Sequence, residues 1–131
     1  NERGGYPMIR IEILANNASE LTPSENVYQR WHWRKRQKAA ERWRNMVWAW
    51  IHINSYVRLE PPEQKMKATI TSYRAKLCDE DNLNMKALID ALKKNLLIRD
   101  DSPNWLVLEV KQEKCKRAEQ KTVIELEEAW A

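Results

Sequence analysis

The sequence predicts an α+β domain, a small mixed four-stranded sheet in chain order β-α-β-α-β-β covered by two main helices. Three observations carry this expectation. Four short segments alternate apolar and polar residues, two longer segments repeat apolar residues at helical spacing, and clusters of Pro, Asn, Asp and Ser separate them. A chain of 131 residues, 43% hydrophobic and 32% charged, also suits one domain with one core.

Ile9, Ile11 and Ile13 alternate with Arg10 and Glu12, the pattern of a half-buried strand. Residues 1–7 hold both glycines and are set aside as a cloning remnant or a disordered N-terminus. That leaves 8–131 as a single domain with Met8 as its natural start. Residues 16–25 are polar and read as a loop, with Ser24 capping a helix that opens near Val27. From Arg34 to Ile53 the residues Ala39, Ala40, Trp43, Met46, Val47, Trp50 and Ile51 share one helical arc, opposite Arg34, Lys38, Arg42 and Asn45. Most tryptophans are therefore expected in the core. Trp48 points with the polar residues, and Arg36 points inward, where a cation needs an anionic partner.

Pro61-Pro62 ends the helical region, and Lys65 to Tyr73 alternates as a second strand. After Asp81, which is a candidate helix cap, Met85, Leu88, Ile89, Leu92 and Leu96 form the apolar stripe of a second helix. Asp100 to Asn104 is a turn. Trp105–Lys111 and Thr122–Glu127 read as strands three and four, expected to pair as a hairpin across a polar, basic connection.

The candidate chemistry lies in two acidic pairs, Asp79 with Asp81 and Asp100 with Asp101. Four carboxylates brought together repel one another, and a divalent cation relieves that repulsion. Their ordinary roles are helix capping, interaction with the helix dipole and turn formation. A calcium loop does not fit, because its sixth position is Asn84 rather than Gly and its twelfth is Asp90 rather than Glu. With glycines only at positions 4 and 5, no Gly-rich phosphate loop exists, and Ser24, Cys78, His32 and His52 stand in no nucleophile motif. Cys78 and Cys115 lack zinc-ligand spacing and read as reduced thiols, which with the absence of a signal pattern suggests a cytoplasmic protein. No apolar run approaches a membrane span. Net charge is +4, but seven basic residues against only Glu41 lie between Arg30 and Arg44, a block suited to a polyanion or, more plainly, to a solvated helix face. Lys86, four residues before Asp90, can form a helical ion pair or face a phosphate.

Taken together, Asp79-x-Asp81-Asn82-Leu83, Lys86-x-x-x-Asp90-Ala91-Leu92 and Leu97-Ile98-x-Asp100-Asp101 resemble the RusA family of Holliday-junction resolvases. Pro23-Ser24-x-Asn26 and Arg30-x-His32-Trp33-x-x-Arg36 resemble the segment such proteins carry before their first long helix. The resemblance implies a homodimer, bacterial or phage-encoded, that binds four-way or branched DNA and makes paired symmetric incisions in recombination and repair. It implies Mg²⁺, with Mn²⁺ as a substitute, and no organic cofactor or membrane. Asp79, Asp81 and Asp101 would then be metal ligands, and Asp100 and Lys86 further catalytic residues. Lys86 stands one residue farther along than the lysine of the best-known member, where this chain has Met85. Asn26, Arg30, His32, Trp33, Arg34, Arg36, Lys38 and Arg42 would contact DNA, mainly through its backbone. Two other classes stay open, a non-catalytic branched-DNA-binding module and an interaction protein that uses the basic Trp-rich helix.

Overall fold

The computed structural model describes residues 8–14, 22–78 and 83–129. It is an α+β domain with a mixed, open four-stranded sheet and three helices. In chain order these are β1 (Ile9–Leu14), α1 (Glu25–Arg30), α2 (Trp33–Ile53), β2 (Met66–Arg74), α3 (Lys86–Lys94), β3 (Leu106–Lys114), a turn of 3₁₀-helix at Arg117–Glu119, and β4 (Lys121–Glu128). The sheet order is β1-β4-β2-β3.

Local chemistry sets the helix ends. Ser24 caps α1, its Oγ accepting the Val27 N–H at 3.2 Å, as its residue type and position predict. Trp31 leaves the helix in extended backbone, and His32 then caps α2 by accepting the Arg34 N–H on Nδ1 at 3.2 Å. The chain thus turns a corner of two residues between helices. α3 starts at Lys86 after Met85, which supplies no side-chain cap. The expected cap Asp81 lies outside the described residues, and the helix opens four positions later than an Asp81 cap requires. At the far end Asn95 donates from Nδ2 to the carbonyls of Ala91 at 2.9 Å and Arg44 at 3.2 Å, tying α3 to α2. Leu96 follows at φ 62°, left-handed backbone that helix ends more often give to glycine.

One face of the sheet is covered. Ile9, Ile11 and Ile13 of β1, Ile124 and Leu126 of β4, and Met66, Ala68 and Ile70 of β2 share that face by register and are buried. Against them pack Trp43, Val47 and Ile51 of α2 and Leu88, Ala91 and Leu92 of α3. The helical arcs read from the sequence are the ones buried. The expectation for tryptophan needs correction, since only Trp43 of the described six is fully buried. Trp31, Trp50 and Trp105 are half-buried, while Trp33 and Trp48 are exposed.

The expected hairpin of strands three and four does not form. β3 pairs parallel with β2, and β4 inserts antiparallel between β1 and β2. Residue chemistry explains the exchange. β4 is buried on both faces at Val123, Ile124 and Leu126, and such a strand needs a neighbour on each side. β3, with Glu109, Lys111, Glu113 and Lys114, is exposed beyond Leu106 apart from half-buried Gln112, and takes the edge. The link between them hooks over the end of β2. There the Cys115 N–H donates to the Arg74 carbonyl at 2.9 Å, and the Ala75 N–H donates to Gln120 Oε1 at 3.0 Å.

Trp43 is the largest fully buried side chain, so Trp43→Ala should cost about 3–5 kcal/mol of unfolding free energy in a urea titration, against a near-neutral Trp48→Ala.

Candidate nucleic-acid interface and acidic segment

The corner between α1 and α2 gathers cations and aromatic rings. Tyr28 and Trp31 lie with ring centroids 5.7 Å apart, and His32 and Trp33 lie 5.6 Å apart. The Lys35 ammonium sits 4.7 Å from the Trp31 ring, and the Arg34 guanidinium 5.4 Å from that of Trp33, which is 61% exposed. Arg30 in the last turn of α1, then Arg34, Lys38 and Arg42 along α2, are exposed, as is Asn26. No acid occupies the first turn of α2, so its positive dipole end adds to these charges. Exposed rings amid cations can stack on bases or sugars while the cations neutralise phosphates.

Arg36 does turn inward. Its Nη2 donates to the Gln29 carbonyl at 3.0 Å, and its guanidinium lies 4.7 Å from the Tyr28 ring centroid, locking α2 onto α1. Its Nε is buried with no hydrogen-bond partner among the described residues. The carboxylate that feels its charge is Glu25, held below the usual range first by the Gln29 amide, then by the Asn84 amide, with Arg36 and Lys86 adding attraction. Both amides donate to it at 2.6 Å.

That Asn84 contact joins the corner to the acidic segment. Asp79 and Asp81 lie outside the described residues, but both flanks of the segment are fixed. On one side the Cys78 N–H donates to Gln112 Oε1 at 2.9 Å, and the Gln112 amide donates back to the Cys78 carbonyl at 3.4 Å. On the other, Leu83 bridges Ser24, the Asn84 N–H donates to the Pro23 carbonyl at 2.8 Å, and Asn84 Oδ1 accepts the Lys86 N–H at 3.0 Å. Lys86 is the exposed first residue of α3.

Asp100 and Asp101 fall within the described residues. They belong to the turn that enters β3, where the Leu106 N–H donates to the Ser102 carbonyl and Leu106 pairs with Met66. Gln112, which holds Cys78, pairs with Ser72 six residues farther along, about 20 Å of strand. Asp100 is bound to Lys93 at 2.9 Å, and Asp101 is exposed. The hydrogen bond from Lys93 lowers the Asp100 pKa to about 2, helped by the Asp101 backbone. Among the described residues no group of three His, Cys, Asp or Glu side chains is placed to hold a metal ion. All-oxygen donors such as Asp79, Asp81 and Asp101 suit Mg²⁺ in chemistry, and the expected convergence of the four acids involves Asp79 and Asp81, which lie outside the described residues.

Three positions escaped the sequence reading. Glu25 and Gln112 clamp the two flanks of the acidic segment, and Arg74, 2% exposed, anchors the end of β2. Arg74 Nη1 donates to the Thr22 carbonyl at 2.6 Å, Thr22 Oγ1 at 2.7 Å and Ser72 Oγ at 3.2 Å, and burial lowers its pKa. Strand parity was a usable signal, since Arg74 continues the inward series Met66, Ala68, Ile70 and Ser72. A scan against protein-family models finds no match to this chain, and a search of curated proteins also finds none.

With its pKa depressed, Asp100 contributes stability above the unfolded carboxylate range that is lost as pH falls from about 4 toward 2. Lys93→Ala should return the Asp100 pKa toward 3.8, read by carboxyl NMR titration, and so shrink this pH-dependent contribution to stability.

Proposed function

We propose that the protein is a metal-dependent, structure-selective endodeoxyribonuclease that acts on branched DNA, with four-way junctions as its substrate. One observation carries the reading. Asn84, just past the Asp79-x-Asp81-Asn82 segment, is bonded to both Pro23 and Glu25 at the foot of the basic aromatic corner. The described flank of the acidic segment and the basic aromatic corner therefore share one end of the molecule, which supports a cation site and a polyanion-binding surface side by side. The resemblance to RusA-type resolvases supports the same assignment.

In this reading Asp79, Asp81 and Asp101 hold Mg²⁺ or Mn²⁺, which supplies Lewis-acid activation of a water and of the scissile phosphate. Arg30, Arg34, Lys38 and Arg42 bind the DNA backbone, while Trp33 and His32 present stacking surfaces and Asn26 a polar contact. Arg36 acts indirectly, by fixing the α1–α2 corner. Lys86 places an ammonium at the start of α3, near the acidic segment, where it offsets charge on a cleaved phosphate. Asp101 enters β3 at the opposite end from the strand position that holds Cys78, so a site shared with Asp79 and Asp81 is most simply assembled between two chains of a homodimer. Such cutting chemistry belongs in the cytoplasm, and among the described residues no helix is long and apolar enough to cross a membrane.

The second reading, a branched-DNA-binding module that does not cut, draws on the ion pair that commits Asp100 to Lys93. Cleavage of a labelled synthetic junction separates the two. Asp81→Asn should lower Mg²⁺-dependent cleavage at least a hundredfold while leaving junction binding within about threefold, and unchanged cleavage would rule out the metal-nuclease reading. Arg34→Ala with Lys38→Ala should weaken binding and flatten its dependence on salt, each lost phosphate contact reducing the slope by about one.

A further inference from the structure

From the register and charge of β3, we infer that its free edge is a self-pairing surface, joining two copies of this chain antiparallel through Leu106–Lys114 into one continuous sheet.

β3 is the last strand in the sheet, and β2 is its only strand partner among the described residues. Its hydrogen-bonding direction can be read at both ends. The Met66 N–H donates to the Trp105 carbonyl, and the Cys115 N–H donates to the Arg74 carbonyl. Odd-numbered residues of the strand therefore turn their backbone groups toward β2. The even-numbered residues, Leu106 to Lys114, turn theirs outward.

The side chains agree with such an edge. Leu108 and Val110 lie on the helix-covered side of the sheet by register with Ala68 and Ile70, which are fully buried. They remain 41% and 36% exposed themselves. A second strand laid beside them removes that apolar surface from water.

Charge and overlap together then select one partner and one register. The midpoint of β3 is Val110, so the antiparallel arrangement with the longest overlap pairs Val110 with Val110 of the second copy. It sets Leu108 opposite Gln112 and Leu106 opposite Lys114. Leu108, Val110 and Gln112 are outward-facing even residues and form the central hydrogen-bonded pairs, while the Leu106 N–H is already taken by the Ser102 carbonyl. In the same register Glu109 falls opposite Lys111, twice by symmetry, at the positions where facing side chains come closest. Sliding by one residue per strand in either direction places Glu109 against Glu109 or Lys111 against Lys111. A register centred on Gln112 also sets Lys111 opposite Glu113, but it overlaps only from Val110 to Lys114, so the longer pairing is favoured. The local ion pairs Lys67–Glu109 at 3.4 Å and Lys111–Glu109 at 3.5 Å are exposed and would extend into a row crossing the two-fold axis.

The inference stands apart from the nuclease reading, since it uses only the strand. Sedimentation velocity on the full chain tests it, with circular dichroism to confirm that each variant folds. The wild type should sediment as a dimer. Val110→Pro removes an outward N–H, leaves the bonds of β3 to β2 in place, and should raise the dimer dissociation constant at least tenfold. Glu109→Lys should raise it about tenfold, and the double exchange Glu109→Lys with Lys111→Glu should bring it back to within about threefold of wild type. If Val110→Pro does not fold, the two charge variants decide alone. A monomeric wild type overturns the inference, as does a dimer that both Glu109→Lys and the double exchange leave unchanged, which would place the contact elsewhere or with another partner. Junction cleavage measured on the same wild-type sample keeps the two proposals apart. A cleaving protein without the β3 dimer defeats only this inference, and a β3 dimer inert toward junctions with Mg²⁺ defeats only the nuclease.

Discussion

The buried guanidinium of Arg74 is the point on which the arrangement of the chain depends. A cation sealed from water at 2% exposure is tolerated only where its donors are satisfied, and here neutral oxygens of Thr22, Ser72 and Lys76 accept from it. Those acceptors belong to separate parts of the fold. Thr22 begins the approach to α1, Ser72 belongs to β2, and Lys76 lies on the way to the acidic segment. The backbone carbonyl of Arg74 also receives Cys115, where β3 turns toward β4. The entry to the basic corner, the exit toward Asp79 and the crossing from one strand to the next are thus held by one residue.

Around that anchor the candidate surface is built by short-range polar contacts rather than by the core. Glu25 accepts from Gln29 within α1 and from Asn84 beyond the acidic segment, while Arg36 clamps α2 to the same small helix. A helix of six residues has little stability of its own. It persists because Ser24 caps it, Tyr28 is buried and Arg36 covers the Tyr28 ring. The exposed rings and cations of the corner consequently stand on a fixed base, and fixed donors bind a phosphate backbone with less ordering cost than mobile ones.

The sequence made the elements legible and left their pairing obscure. Alternation located β1 and β2 within a residue or so, and the arc from Ala39 to Ile51 named the buried side of α2. Strand neighbours follow from which strand is buried on both faces, and the contrast between Val123-Ile124 and the charged tail of β3 carried that information without the spacing revealing it. For the candidate site, the basic helix and the inward turn of Arg36 were legible because helical geometry fixes direction. What the sequence did not reveal is that Asp100 is tied to Lys93 in the turn that enters β3, because proximity along the chain says nothing about which end of a strand a turn occupies. Gln112 and Glu25 escaped notice because a polar residue that clamps a loop looks like any other surface amide or acid.

The place of β4 also orders events during synthesis. Among the described residues β1 pairs only with β4, Ile9 against Leu126, so the earliest described strand must wait for the latest before it gains a neighbour. Until then β1 is an unpaired apolar strand, and β2 shows an open edge on the side that β4 will fill. Pairings so distant along the chain make for a slow, late-closing fold. While the chain is still emerging, α2, α3 and the β2–β3 unit can assemble from nearer contacts, but the central seam of the sheet closes only as a final step.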